Sequence, residues 1–278
     1  MQHYLIEEKP TKLLDEFLET YLATQEKDFD IDYIKRLIKY YFQYHNANAV
    51  VLKDRYAEHL QKVLRLEDEW YKSNCTNFDV YDDDYYFIDI WLCFVIFSRK
   101  YLRSLVKEKQ IGSIHRVSFL DISKNVRTVL DLGCGIAYST ASLKQIYPNA
   151  IVTGTNIKDT KQWKFCKYMA NKYDFGLEAD VKNLQNEQDL VFASEYFEHI
   201  INPIEHLDEV LALNPKMLVL ANAFNTKALG HFLTYKHEGE NIDQKDISKM
   251  FNNHLKDNGY KKLKTKFWNN RPNVWVKQ

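Results

Sequence analysis

The first 124 residues carry apolar side chains at three- and four-residue spacing, which is typical of helices that bury one face. The pattern predicts helices around residues 13–22, 31–41, 50–71 and 87–106. The first half of the last helix is apolar on most faces, so it is predicted to be buried. We therefore expect an N-terminal helical domain over residues 1–124, with a possible role in recognising a substrate or a partner.

From residue 126 onward, short apolar runs alternate with helical segments. Strands are predicted over residues 126–132, 150–155, 176–179, 190–194 and 217–221, followed by a connection over 225–241, a helix over 244–257, and two strands over 261–268 and 273–276. Alternating strands and helices predict a parallel sheet, and the short loop between the last two strands predicts an antiparallel pair. The expected fold of residues 125–278 is α/β: a doubly wound, Rossmann-like sheet of seven mostly parallel strands with an antiparallel last strand.

Charge and cysteine content narrow the function classes. Lys+Arg and Asp+Glu are equal at 38 each, so no overall field attracts nucleic acid or anionic lipid. A local basic stretch follows residue 260, and a solvated edge strand explains it more simply than nucleic-acid binding does. The four cysteines show no C-x-x-C spacing, which indicates neither a zinc site nor a disulfide framework. From this spacing we expect no metal. We also expect a cytoplasmic protein with no membrane partner, because no signal peptide or membrane span is evident.

A glycine turn follows the first predicted strand, in the run Val129-Leu130-Asp131-Leu132-Gly133-Cys134-Gly135-Ile136-Ala137. Glycine allows unusual backbone angles and close approach to a ligand. A dinucleotide fingerprint needs a third small residue where Tyr138 stands, and no Gly-Lys-Ser/Thr follows as in a phosphate-binding loop. The run resembles the first motif of class I S-adenosylmethionine (SAM)-dependent methyltransferases, hydrophobic-x-D-x-G-x-G. The order of strands and helices through Val276 resembles the same family.

The resemblance implies a SAM site at the carboxyl ends of the strands. In the family, the strand-one acid and the glycine turn hold the methionine end of SAM. Asn156 stands where the family has an acid that binds the ribose, and an amide oxygen accepts only a weaker hydrogen bond than a carboxylate does. Ile157 would pack on the adenine, and Asp180 would lie near its amino group. The implied cofactor-binding residues are Asp131, Gly133, Cys134, Gly135, Asn156, Ile157, Asp180, Val181 and Glu195.

Two candidate catalytic residues follow strand four, in a run that resembles the family's pattern ending in Glu-His. His199 is the first candidate for a general base, because imidazole titrates near neutral pH. Glu198, the residue before it, is the second candidate catalytic residue. Its alternative is a structural role, in which it caps or supports a helix. Weaker candidates from the connection after strand five are His231, Tyr235 and His237. Asp131, Asn156 and Asp180 have structural alternatives as helix-capping or turn residues.

The resemblance implies a SAM-dependent methyltransferase, and three functions remain open. The first is methyl transfer to an oxygen or nitrogen of a small metabolite or sugar-like acceptor. The second is methylation of RNA, DNA or protein, although the chain lacks the Asn/Asp-Pro-Pro-Tyr run of exocyclic-amine methylases and the Pro-Cys nucleophile of cytosine-C5 enzymes. The third is a SAM-binding or inactive methyltransferase-like scaffold, because Asn156 departs from the family pattern.

Overall fold

The N-terminal part of the chain is helical. The computed structural model describes residues 4–25, 52–107, 118–184, 187–265, 267 and 271–278. Its first elements are α1 (Pro10–Thr24), α2 (Leu52–Lys72), a 3-10 turn (Phe78–Asp82), α3 (Asp84–Cys93), a π turn (Phe94–Ser98), α4 (Arg99–Lys107) and α5 (Phe119–Ile122). Three of the four predicted helices are confirmed, although the fourth widens to π geometry in its middle. The helix predicted over 31–41 lies outside the described residues.

A seven-stranded sheet forms the second part. Its strands are β1 (Thr128–Leu132), β2 (Ile151–Thr155), β3 (Gly176–Glu178), β4 (Leu190–Ser194), β5 (Met217–Ala221), β8 (Tyr260–Lys262) and β9 (Asn273–Lys277), in the order β3-β2-β1-β4-β5-β9-β8. The first five are parallel, and β9 inserts antiparallel between β5 and β8. The predicted Rossmann-like sheet with an antiparallel last strand is confirmed. β8 spans three residues, so the strand predicted over 261–268 was too long.

Helices alternate with the parallel strands: α6 (Tyr138–Ile146), α7 (Lys161–Tyr173), α8 (Pro203–Leu211) and α9 (Gln244–Asp257), with 3-10 turns at Val181–Asn183 and Phe197–His199. Residues at the helix starts explain several boundaries. The Thr160 hydroxyl accepts from the Trp163 backbone N–H at 3.1 Å, and Pro203 occupies the first turn of α8, where its missing N–H costs nothing.

The connection after β5 contains an element that the sequence pattern did not predict. Its residues form a hairpin of β6 (Thr234–His237) and β7 (Glu240–Asp243), which pair antiparallel. The chain reverses at Glu238 and Gly239, both at positive φ. Of β6, only Tyr235 is fully buried. With so few apolar residues in the hairpin, its period-two pattern was too weak to predict a strand.

The N-terminal helices and the sheet share their hydrophobic core. Within the described residues, each of the three clusters of buried apolar side chains contains members from both parts. In one cluster, Phe17 of α1 packs against Trp91 of α3 and Phe165 of α7, with ring centroids 5.3 and 5.8 Å away. The shared core fixes α3 and α4 above the carboxyl ends of β1 and β4. The domain boundary near residue 124 therefore stays a prediction from the sequence.

Within the described part of the chain, no helix combines the length and the apolar character that crossing a membrane requires.

Candidate active site

The glycine turn connects β1 to α6 and is anchored on β2. Gly133 and Gly135 have φ of +61° and +57°, a region that side chains with a Cβ adopt only under strain. The Gly133 N–H donates to the Thr155 hydroxyl at 3.0 Å, and the Cys134 N–H donates to the Thr155 carbonyl at 2.9 Å. These bonds hold the turn at the point where β1 and β2 end.

Asp131 lies beneath the turn, 1% exposed. Its Oδ2 accepts hydrogen bonds from the Ser139 and Thr140 hydroxyls at 2.7 and 2.6 Å. Burial raises its pKa to about 7, although both hydroxyls favour the ionised form. The carboxyl group thus links β1 to the first turn of α6 through two side-chain hydroxyls, and it does not cap the helix, whose N-cap residue is Ala137.

Two side chains cover the glycine turn. A Cβ built on Gly133 would lie 2.1 Å from Cδ2 of Tyr196, and one on Gly135 would lie 2.7 Å from Cγ2 of Ile90. Tyr196 follows β4, and its hydroxyl lies 2.9 Å from Nε2 of His206. Ile90 belongs to α3, so the N-terminal helices contribute directly to the environment of the turn.

Asn156 and Ile157 follow β2, beside the turn. The Asn156 amide donates to the Gly135 carbonyl at 2.5 Å, and its Oδ1 accepts from the Ile157 N–H at 2.8 Å. The Ile157 side chain is 51% exposed, which leaves an apolar surface beside the turn. Asn156 therefore supports the turn through its amide group. Its Oδ1 already accepts one hydrogen bond, so a bond from a ribose hydroxyl would be the second that this oxygen accepts.

The remaining predicted cofactor residues near β2 and β3 differ in exposure. Cys134 is buried, and its Sγ lies 4.0 Å from Sγ of Cys166, so its part in the turn is made by backbone atoms. Asp180 is exposed and accepts from the Lys182 N–H at 2.9 Å, which makes it the cap of the 3-10 turn that follows. Val181 is buried.

Two carboxyl groups follow β4. Glu195 has a φ of +53°, and its Oε1 accepts from the Tyr101 hydroxyl at 3.2 Å and lies 3.7 Å from Nη1 of Arg271. Glu198 is fully buried, and its Oε1 accepts from the Ala223 N–H at 3.0 Å. Burial raises the pKa of both groups, and the charge of Glu195 raises the pKa of Glu198 further.

His199 lies beside Glu198, between Tyr81 and His231. Its Nδ1 is 3.1 Å from the Tyr81 hydroxyl, and its ring centroid is 4.7 Å from that of His231. Burial and the neighbouring His231 lower the pKa of His199 to about 3. The imidazole is therefore neutral at pH 7. This pKa lies well below the near-neutral value expected of an ordinary histidine.

Comparison with known proteins finds a family model that matches part of this chain. A family model described as "Methyltransferase domain" matches residues 130–216, which span the glycine turn, β2 to β4 and α8. Residues 130–216 therefore match a methyltransferase domain, within a sheet that has the fold of a methyltransferase-family protein. A search of curated proteins by sequence found no match.

One solved structure of the methyltransferase family has the same fold, and two others are more weakly similar. An O-methyltransferase family protein from Burkholderia thailandensis is 12% identical, with a TM-score of 0.50, and the match covers 98% of this chain and 88% of that one. The mitomycin 7-O-methyltransferase MmcR is 10% identical, with a TM-score of 0.46 over 78% of this chain and 67% of that one. The plantazolicin methyltransferase BpumL, solved with a desmethyl analogue and SAH, is 18% identical, with a TM-score of 0.40 over 59% and 61% of the chains.

The methyltransferase domain brings the predicted residues together in two groups. Asp131, the glycine turn and Asn156 meet at the ends of β1 and β2, and the residues from Glu195 to His199 follow β4, which pairs with β1. Sequence reasoning missed four residues that contact these groups, namely Tyr81, Ile90, Tyr196 and Arg271. Three of them come from distant parts of the chain. Tyr196 lies inside the Glu-x-x-Glu-His run, and its position two residues after β4 was an available signal.

Proposed function

We propose that this protein transfers the methyl group of SAM to an oxygen or nitrogen of a small metabolite or sugar-like acceptor. The observation that carries the proposal is the cover over the carboxyl ends of β1 and β4. Ile90 lies on Gly135, the Ser98 and Ser194 hydroxyls are 3.0 Å apart, and Tyr101 donates to Glu195. A site beneath such a cover suits a small acceptor better than a duplex or a folded protein.

The residues beside the turn fit SAM. The two glycines provide backbone without Cβ atoms, and Ile157 provides an exposed apolar face for an adenine. We assign Gly133, Cys134 and Gly135 to the methionine end of the cofactor through their backbone atoms, and Asp131 to supporting them from below. Asn156, Ile157, Asp180 and Val181 are assigned to the nucleoside end, and Glu195 to the side that faces β4.

SAM supplies an activated methyl group, so the protein must position the acceptor and manage one proton. In this proposal, His199 accepts that proton and Glu198 holds the loop around it. The low pKa of His199 gives little driving force for the transfer, so an acceptor with an acidic hydroxyl is favoured over a simple alcohol.

One observation favours a second candidate, a methyltransferase-like scaffold without activity. The Tyr196 ring lies against Gly133, on the side that a bound methionine group would use in this proposal. An active enzyme must move this ring when SAM binds, whereas a scaffold can keep it in place.

The test is isothermal titration with SAM and S-adenosylhomocysteine, followed by transfer from methyl-labelled SAM to a cell extract. The products are separated into small-molecule, nucleic-acid and protein fractions. Micromolar binding with label in the small-molecule fraction supports the proposal, and label in a macromolecular fraction refutes the acceptor class. No binding of either ligand favours the scaffold. His199→Ala should reduce turnover far more than SAM affinity, and equal activity would remove His199 as the base; His254→Gln, on the surface of α9, is the matched control.

A further inference from the structure

Three potential metal ligands lie close together near the carboxyl end of β4, the strand that pairs with β1. Glu198 and His199 lie in the 3-10 turn after β4, and His231 lies in the connection before β6. One ligand atom from each of the three falls within 4.8 Å of the other two. Glu198 and His231 are buried, and His199 is partly buried. Residues 32 positions apart in sequence thus form one compact cluster of two imidazoles and one carboxyl group.

The hydrogen bonds of the two imidazoles leave the same nitrogen available on each ring. Nδ1 of His231 donates to the Thr226 carbonyl at 2.7 Å, so its Nε2 carries a lone pair. The Tyr81 hydroxyl can donate to the Gly230 carbonyl at 3.4 Å and accept from Nδ1 of His199 at 3.1 Å. In that arrangement Nε2 of His199 also carries a lone pair. A second-shell oxygen on the other ring nitrogen is the usual arrangement of metal-binding histidines.

The buried carboxyl group of Glu198 gives a second reason to expect a cation in this cluster. Its side chain is 0% exposed, and its Oε1 accepts from the Ala223 N–H. Its Oε2 accepts no hydrogen bond from an N–H or hydroxyl group of the described residues, and its carboxyl neighbour is Glu195. Without an ion, the two buried carboxyl groups must share a proton, and a cation held by the same cluster would replace that proton.

We propose that Glu198, His199 and His231 bind one divalent transition-metal ion of the zinc class. Two imidazole nitrogens and one carboxylate oxygen form a ligand set of catalytic zinc sites, which keep a further position open. Mg²⁺ and Ca²⁺ prefer sites made of oxygen ligands, so they should bind more weakly. The prediction from cysteine spacing that the chain has no metal site did not consider this set, because its members are far apart in sequence.

The three ligand atoms must move together when the ion binds. Bonds of about 2.1 Å in a tetrahedral site place ligand atoms about 3.4 Å apart. The separations of up to 4.8 Å therefore need to shorten when the ion binds. Tyr81 and Thr226 hold the far sides of the two rings and should limit that movement.

Metal binding changes the role of His199 in catalysis. With Nε2 bound to the ion, His199 no longer accepts the acceptor's proton. A bound ion would supply an open position for the acceptor oxygen and would lower the pKa of that hydroxyl, whose proton would pass to water when the oxygen takes the methyl group from the SAM sulfur. This consequence rests on the proposed function, whereas metal binding itself does not.

The experiment is a titration of metal-stripped, untagged protein with Zn²⁺ by calorimetry and with Co²⁺ by visible absorption, both without SAM. We expect one ion per chain and a Co²⁺ spectrum of low coordination number. Glu198→Gln and His231→Gln should each weaken binding at least ~100-fold, and Tyr81→Phe, which removes only the hydroxyl that orients His199, about tenfold. His254→Gln is the control, because His254 pairs with Asp208 on the surface of α9 and should leave the affinity unchanged.

The unfolding temperature of each variant shows whether weaker metal binding comes from a missing ligand or from a misfolded protein. Zn²⁺ should raise the unfolding temperature of the unmodified protein and of His254→Gln, and not that of His231→Gln. Because Glu198→Gln changes a buried group and could fail to fold, Tyr81→Phe provides the second test. No Zn²⁺ binding, or equal affinity in the unmodified protein and the ligand variants, overturns the proposal. Binding of Zn²⁺ without binding of SAM would support the metal site and refute the proposed function. Binding of SAM without binding of Zn²⁺ would support the proposed function and refute the metal site.

Discussion

Replacing Asp131 with asparagine tests whether the buried carboxyl group supports the glycine turn or holds SAM through its charge. Asparagine has nearly the same shape, and its amide oxygen can still accept from Ser139 and Thr140. The carboxyl group of Asp131 has a pKa of about 7 in the folded protein, against an ordinary value of 3.8. Between these values the folded state keeps the proton that the unfolded state has lost. The free energy of unfolding therefore falls as the pH rises from about 4 to 7.

The magnitude follows from this pKa. From pH 5 to pH 7, the proton difference between the folded and unfolded states falls from about one to about one half, which lowers the free energy of unfolding by about 2.3 kcal/mol. Above about pH 8 both states are ionised and the effect is constant. Asp131→Asn lacks the effect, so its stability relative to the unmodified protein should improve by about 2–3 kcal/mol between pH 5 and pH 8.

The assay is urea unfolding of both proteins at pH 5 and pH 8, compared as a double difference. Other buried carboxyl groups, such as Glu195 and Glu198, titrate equally in both proteins and cancel. Asp159→Asn, at an exposed position, is the matched control and should show no double difference. A double difference of zero for Asp131→Asn would refute the buried, partly protonated state. If SAM affinity is also retained, Asp131 supports the turn; if it is lost while stability rises, the charge of Asp131 contributes to binding.

Two further predictions concern the turn itself. Gly133→Ala should lower SAM affinity and destabilise the fold by at least ~1 kcal/mol, because the residue has a positive φ and its Cβ would meet the Tyr196 ring; calorimetry and urea unfolding check this, and unchanged values in both would place the turn outside the site. Asn156→Asp should cost about 1–3 kcal/mol, because a carboxylate would replace the amide that donates to the Gly135 carbonyl. A more stable Asn156→Asp variant with tighter SAM binding would instead show that the side chain faces the ribose.

The sequence by itself determined the sheet and the glycine turn after its first strand. Apolar runs such as residues 190–194 have a length typical of buried strands, and a glycine turn after a strand has few other uses, so local pattern was enough. The parallel strands were predicted from alternation and the antiparallel last strand from one short loop, whereas the strand order comes from the structure. Where the pattern was weak, as in the hairpin over Thr234–Asp243, the prediction missed the element.

Only the tertiary structure decided what surrounds the site. Ile90, Tyr81 and His231 reach the glycine turn or His199 from segments that are distant in sequence, and no local spacing signals such contacts. The same is true of protonation. Asp131 and His199 have ordinary side chains, and it is burial that raises the pKa of one to about 7 and lowers that of the other to about 3. Periodicity along the chain records which face of an element is buried, whereas the partners on that face, and the loss of water around a charge, depend on how the elements pack.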